Sequence, residues 1–241
     1  MKARRLAIIP AAAPLYAMPD DTLFSPDKSP RKRAQAPSLS EQAYVAIKGK
    51  ILTQELRSGD QINVAQLCAQ LELGRSPVHQ AILRLGEEGL VDVLPRKGIL
   101  VKGETLDSFL ELIAARLLVE PHLTALAVER ATPGLIERLE AILAMGWEHH
   151  RNQDRLGGMM ADRQFHQALY AQSGNDILAG FAGHLLDRSM RLWYKPPVSE
   201  SRPNVAELEA LCEKVRQGDR DGAVAIMREH IGSVRSKFLS R

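Results

Sequence analysis

Asp162 and His166 lie four residues apart in a stretch of helical periodicity, so both side chains leave one face of one helix. A carboxylate oxygen and an imidazole nitrogen so placed can share a divalent ion such as zinc or nickel, and His230, on another helix, can supply a third ligand. The same Asp–His pair can equally line a polar pocket that holds no metal. Arg116, Arg188 and Arg191 are able to grip a carboxylate through the two prongs of a guanidinium. His149, His150 and His184 read as surface or boundary residues. The two cysteines, Cys68 and Cys212, fall in apolar helical patterns and read as buried, reduced thiols.

A second group of residues points to nucleic acid. Gly74-Arg75-Ser76-Pro77-Val78-His79-Gln80 opens a helix, with Ser76 suited to cap it and Pro77 suited to its first position. Val78, Ala81, Ile82 and Leu85 recur at helical spacing and turn inward, which leaves Arg75, His79, Gln80, Arg84 and Glu87 outside. Gly89 ends the helix in a left-handed conformation. Upstream, Asn63 caps a short helix over 64–71, and Glu72-Leu73-Gly74 makes the tight turn of a helix-turn-helix. Ser38 with Glu41 forms a capping box for a preceding helix whose Tyr44, Ile47, Ile51 and Leu52 face inward. After Leu90, two strands flank the basic turn Pro95-Arg96-Lys97-Gly98. A helix with a polar outer face beside a charged wing can enter a DNA groove and grip the adjoining phosphates. The site so expected comprises Arg75, Ser76, Pro77, His79, Gln80, Arg84, Arg96, Lys97 and Gly98, with the Gln80 amide able to pair with adenine N6 and N7.

The elements that carry these residues make a mainly α protein. Residues 38–102 predict a winged helix-turn-helix of three helices and a two-stranded wing. Residues 105–239 predict an all-α bundle of six helices with short connections, large enough to enclose a pocket. Its first helix carries Phe109, Leu110, Ile113, Leu117, Leu118, Leu123 and Leu126, with Pro121 allowing a kink. A net charge of +3 on 241 residues excludes a histone-like cation, and the positive surplus lies towards the N-terminus. Residues 1–37 read as a disordered tail rather than a secretory signal, because Pro10 and Pro14 interrupt the apolar stretch after Lys2-Ala3-Arg4-Arg5. Arg31-Lys32-Arg33 can touch DNA without sequence preference or simply be solvated, and Met18 is an alternative start to Met1. With no segment long enough to span a bilayer, the expected location is the cytoplasm.

The run from Tyr44 to Val101 resembles the DNA-binding domain of GntR-type bacterial transcriptional regulators. The shared pattern is Ser58-Gly59-Asp60, Leu67 with Gln70-Leu71, Gly74-Arg75-Ser76-Pro77-Val78, Arg84-Leu85, Glu88-Gly89-Leu90-Val91 and Pro95-Arg96-Lys97-Gly98. His79-Gln80 stands where that family usually has Arg-Glu, which implies an operator unlike the family's common one. The second half resembles the FCD effector domain of the FadR-like branch. That likeness rests on Arg116 with Glu120-Pro121, Asp162 with Phe165-His166, Ser173-Gly174-Asn175, and Gly218-Asp219 with Ala223, Met227 and His230. It implies a metal on Asp162, His166 and His230 and an effector site that adds Arg116, whose place in the motif marks it among the arginines. The place where the family carries a further histidine falls on Leu208, which cannot bind a metal; Asn204, one turn earlier, can lend at most an amide oxygen. The function implied is a homodimeric transcriptional regulator, such as a repressor, on a palindromic operator, controlled by a small carboxylate-bearing metabolite. The competing reading is a metal-dependent enzyme built on Asp162, His166 and His230 with an accessory DNA-binding domain.

Overall fold

The computed structural model describes residues 37–96, 98–193 and 204–239, with no account of the side chains of 191–193 and 236–239. The expectations for the N-terminal tail, for Lys97 and for the side chain of Arg191 therefore lie outside the described residues. Helices α1 (Leu39–Leu52), α2 (Val64–Leu71) and α3 (Arg75–Glu87) come first, followed by the hairpin β1 (Val91–Leu94) and β2 (Gly98–Val101). Six helices follow: α4 (Leu106–Glu129), α5 (Pro133–Arg151), α6 (Arg155–Gln172), α7 (Asp176–Trp193), α8 (Asn204–Arg216) and α9 (Arg220–Leu239). The chain is thus mainly α, with an N-terminal winged helix-turn-helix and a C-terminal helical domain. No described helix is long and apolar enough to cross a membrane.

Local chemistry explains the N-terminal elements. Ser38 accepts from the Glu41 amide and caps α1, whereas the Glu41 carboxylate reaches Arg84 at 2.7 Å instead of closing a capping box. Asn63 caps α2 through the Gln66 amide at 3.1 Å. The start of α3 differs from the expectation. Gly74 is the capping residue, in extended backbone and without a side-chain bond, and Ser76 and Pro77 already lie in the first turn. Glycine is itself an acceptable cap, and proline fits anywhere in the first turn, because the amides there have no intrahelical partner. At the other end Gly89 has φ +70°, and the Leu90 amide reaches back to the Leu85 carbonyl at 2.9 Å, a Schellman closure.

The hairpin pairs Val91 with Val101 and Leu94 with Gly98. Gly98 sits at φ +93°, a left-handed conformation that favours glycine, and a Cβ there would only push aside the tip of the Gln61 side chain. Tyr44, Ile47, Ile51, Val78, Ile82 and Leu85 join the strands in one apolar core.

In α4 the buried face runs through Phe109, Ile113, Arg116, Glu120, Leu123 and Ala127. That spacing puts Leu118 on the opposite side, where it is 79% exposed, contrary to its place in the sequence-derived stripe. Pro121 leaves the Leu117 carbonyl without its helical donor, and Arg228 of α9 approaches that oxygen at 3.5 Å. Thr132 caps α5, with Pro133 at its first position. Leu139, Phe165, Leu211, Met227 and Ile231 are among the residues of the main bundle core. A smaller cluster packs Leu52 of α1 against Leu123, Tyr170, Leu186 and Met190, and so ties the reading head to the bundle. Cys212 is buried, but Cys68 is only half-buried, because it flanks Leu67 rather than sharing its inward position on the short α2.

Candidate functional site

Three of the four expected pocket residues are gathered around one potential centre. Asp162 and His166 project from α6 and His230 from α9, and one donor atom of each lies within 4.8 Å of the others. His166 and His230 are buried, with ring centroids 5.2 Å apart. The Asp162 carboxylate stands 3.4 Å from His230 Nε2 and 3.9 Å from His166 Nε2. Asp162 Oδ1 and His166 Nε2 are buried and make no hydrogen bond. Unpaired buried polar atoms are costly, so such atoms on neighbouring side chains of α6 mark a place for a ligand.

The outer nitrogens of both imidazoles are held by carboxylates. His166 Nδ1 meets Glu120 Oε2 at 2.9 Å, and His230 Nδ1 meets Glu207 Oε2 at 2.8 Å. An imidazole that donates from Nδ1 to a carboxylate presents its Nε2 lone pair inward, the arrangement that orients histidine ligands in metal sites. Burial disfavours a charged His230, yet Asp162 and Glu207 prevail and push it up to about 9. Burial likewise raises Asp162 and Glu120, but neighbouring groups win. His230, His166 and Arg116 hold Asp162 below its usual range, and Arg116 and His166 hold Glu120 far below it. An ion would have to displace the Nε2 proton of His230; with that proton gone, the oxygen and two nitrogens facing inward are a donor set that suits zinc, nickel or a similar ion.

Arg116 is present at the centre but is not a free grip. Its guanidinium forks onto Glu120 one turn along the same helix and donates to Ser189 Oγ at 3.0 Å. Arg116, Asp162, Leu208 and His230 line one cavity of about 330 Å³, whose walls also include Ile142, Leu186 and Met190. Leu208 is buried and faces this space, as the sequence register requires, and Asn204 reaches the same wall. His149 and His150 also border the cavity, which sequence reading did not anticipate, and His149 Nδ1 lies 2.9 Å from Asp154 Oδ2. Arg188 is turned away to Glu104, with contacts of 2.8 and 3.0 Å.

On the other part of the chain, Arg75, Ser76, His79 and Gln80 form an exposed ridge along α3, with Leu83 beyond them. Arg96 and Gly98 are exposed in the wing turn, while Pro77 is half-buried. Arg84 is drawn towards the body of the domain. It lies over the Tyr44 ring at 3.6 Å and pairs with Glu41 at 2.7 Å and Glu88 at 3.4 Å.

Sequence reasoning missed Glu207 altogether and gave Glu120 no role. Glu120 carried a local signal, a carboxylate four residues after an arginine on one helix. Glu207 and His230 meet only through tertiary packing of α8 on α9.

Comparison with known proteins agrees with both halves. The family pattern described as "Bacterial regulatory proteins, gntR family" matches residues 39–101, and that of the FCD domain matches residues 111–233. An uncharacterised helix-turn-helix transcriptional regulator from an unstable DNA locus of Streptomyces ambofaciens is 30% identical over 196 residues, 79% of this chain and 81% of its own. The transcriptional regulator LutR of Bacillus subtilis is 28% identical over 204 residues, covering 75% of this chain and 92% of its own. The solved structure of McbR from Escherichia coli superposes with a TM-score of 0.77 at 22% identity, covering 85% of this chain and 99% of that one.

Proposed function

The chain belongs to the GntR family of bacterial regulatory proteins and is a transcriptional regulator with an FCD domain, and on that premise we propose that a small metabolite held at a metal in the helical cavity sets its affinity for an operator. The observation that carries this reading is His166 Nε2, buried without a hydrogen bond, beside Asp162 Oδ1, whose contact with His230 Nε2 is a loose 3.4 Å. Asp162, His166 and His230 hold the ion, and Glu120 and Glu207 orient the two imidazoles. The ion supplies a positive centre for an anionic group of the metabolite. Leu208 gives the cavity wall an apolar side chain, so a carboxylate-bearing effector or water would have to supply any ligand beyond Asp162, His166 and His230. Because Arg116 is committed to Glu120, its part is to keep that carboxylate charged and in place against His166, while its edge lines the cavity.

The reading head acts on double-stranded DNA. Arg75, Ser76, His79 and Gln80 face the major groove, and the wing residues Arg96, Lys97 and Gly98 approach phosphates. A homodimer presents two such heads to a palindromic site, in the cytoplasm. Both matched families are regulatory modules, which weighs against the metal-dependent enzyme considered from the sequence.

Two expected results test this. Arg75→Ala weakens operator binding about 10–100-fold, as loss of one specific base contact does, measured by fluorescence anisotropy at fixed salt. Equal binding of operator and random DNA by the unaltered protein contradicts the DNA reading. Leu208→His adds an imidazole to the cavity wall and tightens zinc or nickel binding in calorimetric titration. Unchanged affinity, with the fold intact, removes position 208 from the centre.

A further inference from the structure

A buried ionic cluster lies where the reading head meets the bundle, and neither the DNA ridge nor the metal centre uses it. Lys48 of α1 points its ammonium at Asp187 of α7 at 2.6 Å, at Glu88 at the end of α3 at 2.8 Å, and at the Tyr44 hydroxyl at 2.6 Å. Asp187 in turn holds Arg163 of α6, with contacts of 2.6 and 3.3 Å. The side chains of Lys48, Glu88, Asp187 and Arg163 are 9%, 5%, 3% and 9% exposed. Glu88 also connects onward to Arg84 and, at 3.5 Å, to His184. Burial alone would raise Asp187, and the attraction of Arg163 and Lys48 overcomes it, holding that carboxyl below the usual carboxylate range.

Position gives this cluster its meaning. Arg163 is the residue after Asp162, so α6 offers the candidate metal ligand and the ionic partner side by side. Asp187 lies on α7 between Leu186 and Ser189, which line the cavity, and Ser189 is also the hydroxyl that Arg116 contacts. The two helices that present the cluster to Lys48 are therefore two helices that bound the cavity. A buried ion network has narrow geometric tolerance, because its desolvation is offset only while the contacts stay short. A small shift of α6 against α7 must therefore be accommodated by Lys48 and Glu88, and hence by the end of the reading helix.

We infer that Lys48, Asp187 and Arg163 form a buried latch through which occupancy of the cavity sets the orientation of the reading head relative to the bundle. The inference rests on the reading of that cavity as the effector site. It also names the element whose arrangement both sites bias, which any coupling between two ligands requires.

Two measurements on full-length protein test it, with Asp187→Asn and with the paired Lys48→Met/Asp187→Leu, which removes two opposite charges together in case the single change unfolds the chain. The first is zinc affinity with and without saturating operator DNA. The unaltered protein should show a ratio between the two of about 5–150-fold, and both variants a ratio near one, while each still binds zinc without DNA. An unaltered ratio in the variants, or no ratio in the parent, overturns the latch.

The second needs no metal. It is the distance distribution between spin labels on Gln66 and Glu137, both exposed, in a background lacking Cys68 and Cys212 and diluted with unlabelled chain. Folded variants should give a broader or displaced distribution; one identical to the parent overturns the latch. A parent that takes up no zinc overturns the metal reading above, and the distance measurement then decides the latch by itself.

Discussion

Asp162→Ala is expected to abolish stoichiometric binding of zinc or nickel, and Glu207→Ala to weaken it by about 10–100-fold without touching a ligand atom. The first change removes the only carboxylate of the inward-facing set. The second removes the acceptor at 2.8 Å that holds His230 Nδ1, so the ring is free to turn and Nε2 loses its fixed aim. The metal-free protein should also be weakened by the first change. With no ion bound, the Asp162 carboxylate faces His230 Nε2 at 3.4 Å and offsets its charge, so Asp162→Ala takes from that buried imidazole one of its two carboxylates, while the loaded parent gains stability that the variant cannot. Calorimetric titration after chelator treatment, with thermal unfolding of both forms, checks the pair. Equal affinity of Glu207→Ala and parent would mean that His230 is oriented by something else.

The largest effect on stability is expected from Arg116→Ala. This guanidinium is 2% exposed and Glu120 is 0% exposed, so the change strands a charged carboxylate in the core of the bundle. Breaking one side of a buried pair costs about 3–5 kcal/mol. At this chain length that lowers the unfolding midpoint by roughly 10 °C. Glu120 would also lose the cation that, after burial's opposing effect, does most to keep it charged, and with it the strength of its hold on His166. Metal affinity should therefore fall in the same variant. Arg116→Ala/Glu120→Ala removes both charges and should recover part of the stability but none of the metal affinity. A midpoint for Arg116→Ala within about a degree of the parent would contradict the paired, buried role. An effector response lost through Arg116→Ala alone cannot be ascribed to direct contact with the effector, which is how the sequence suggested using it.

The contrast between these residues shows what a sequence can and cannot disclose. The winged helix-turn-helix was legible because its signals are local. Asn63 caps one helix, Gly89 closes the next and Gly98 permits the wing turn, and each acts on neighbours within a few residues. That Asp162 and His166 share one helix face was legible for the same reason, a four-residue spacing. Where two local solutions compete, the reading slipped. Gly74 and Ser76 can both start α3, and backbone geometry chose Gly74. Leu118 shares its residue type with the true core positions but not their angular phase. The sequence also offered Arg116 to an outside carboxylate, when Glu120 on the same helix had the prior claim. Glu207 with His230, and Lys48 with Asp187, are joined across 23 and 139 positions, and nothing in a linear pattern announces such meetings.

The most direct test of the central claim is one calorimetric and elemental analysis of the chelator-treated, full-length protein reloaded with zinc or nickel, carried out beside Asp162→Ala and His230→Ala. The account predicts one tightly held divalent ion per chain in the parent and none in either variant, all three remaining folded. A folded parent that retains no ion, or variants that retain as much as the parent, would contradict it.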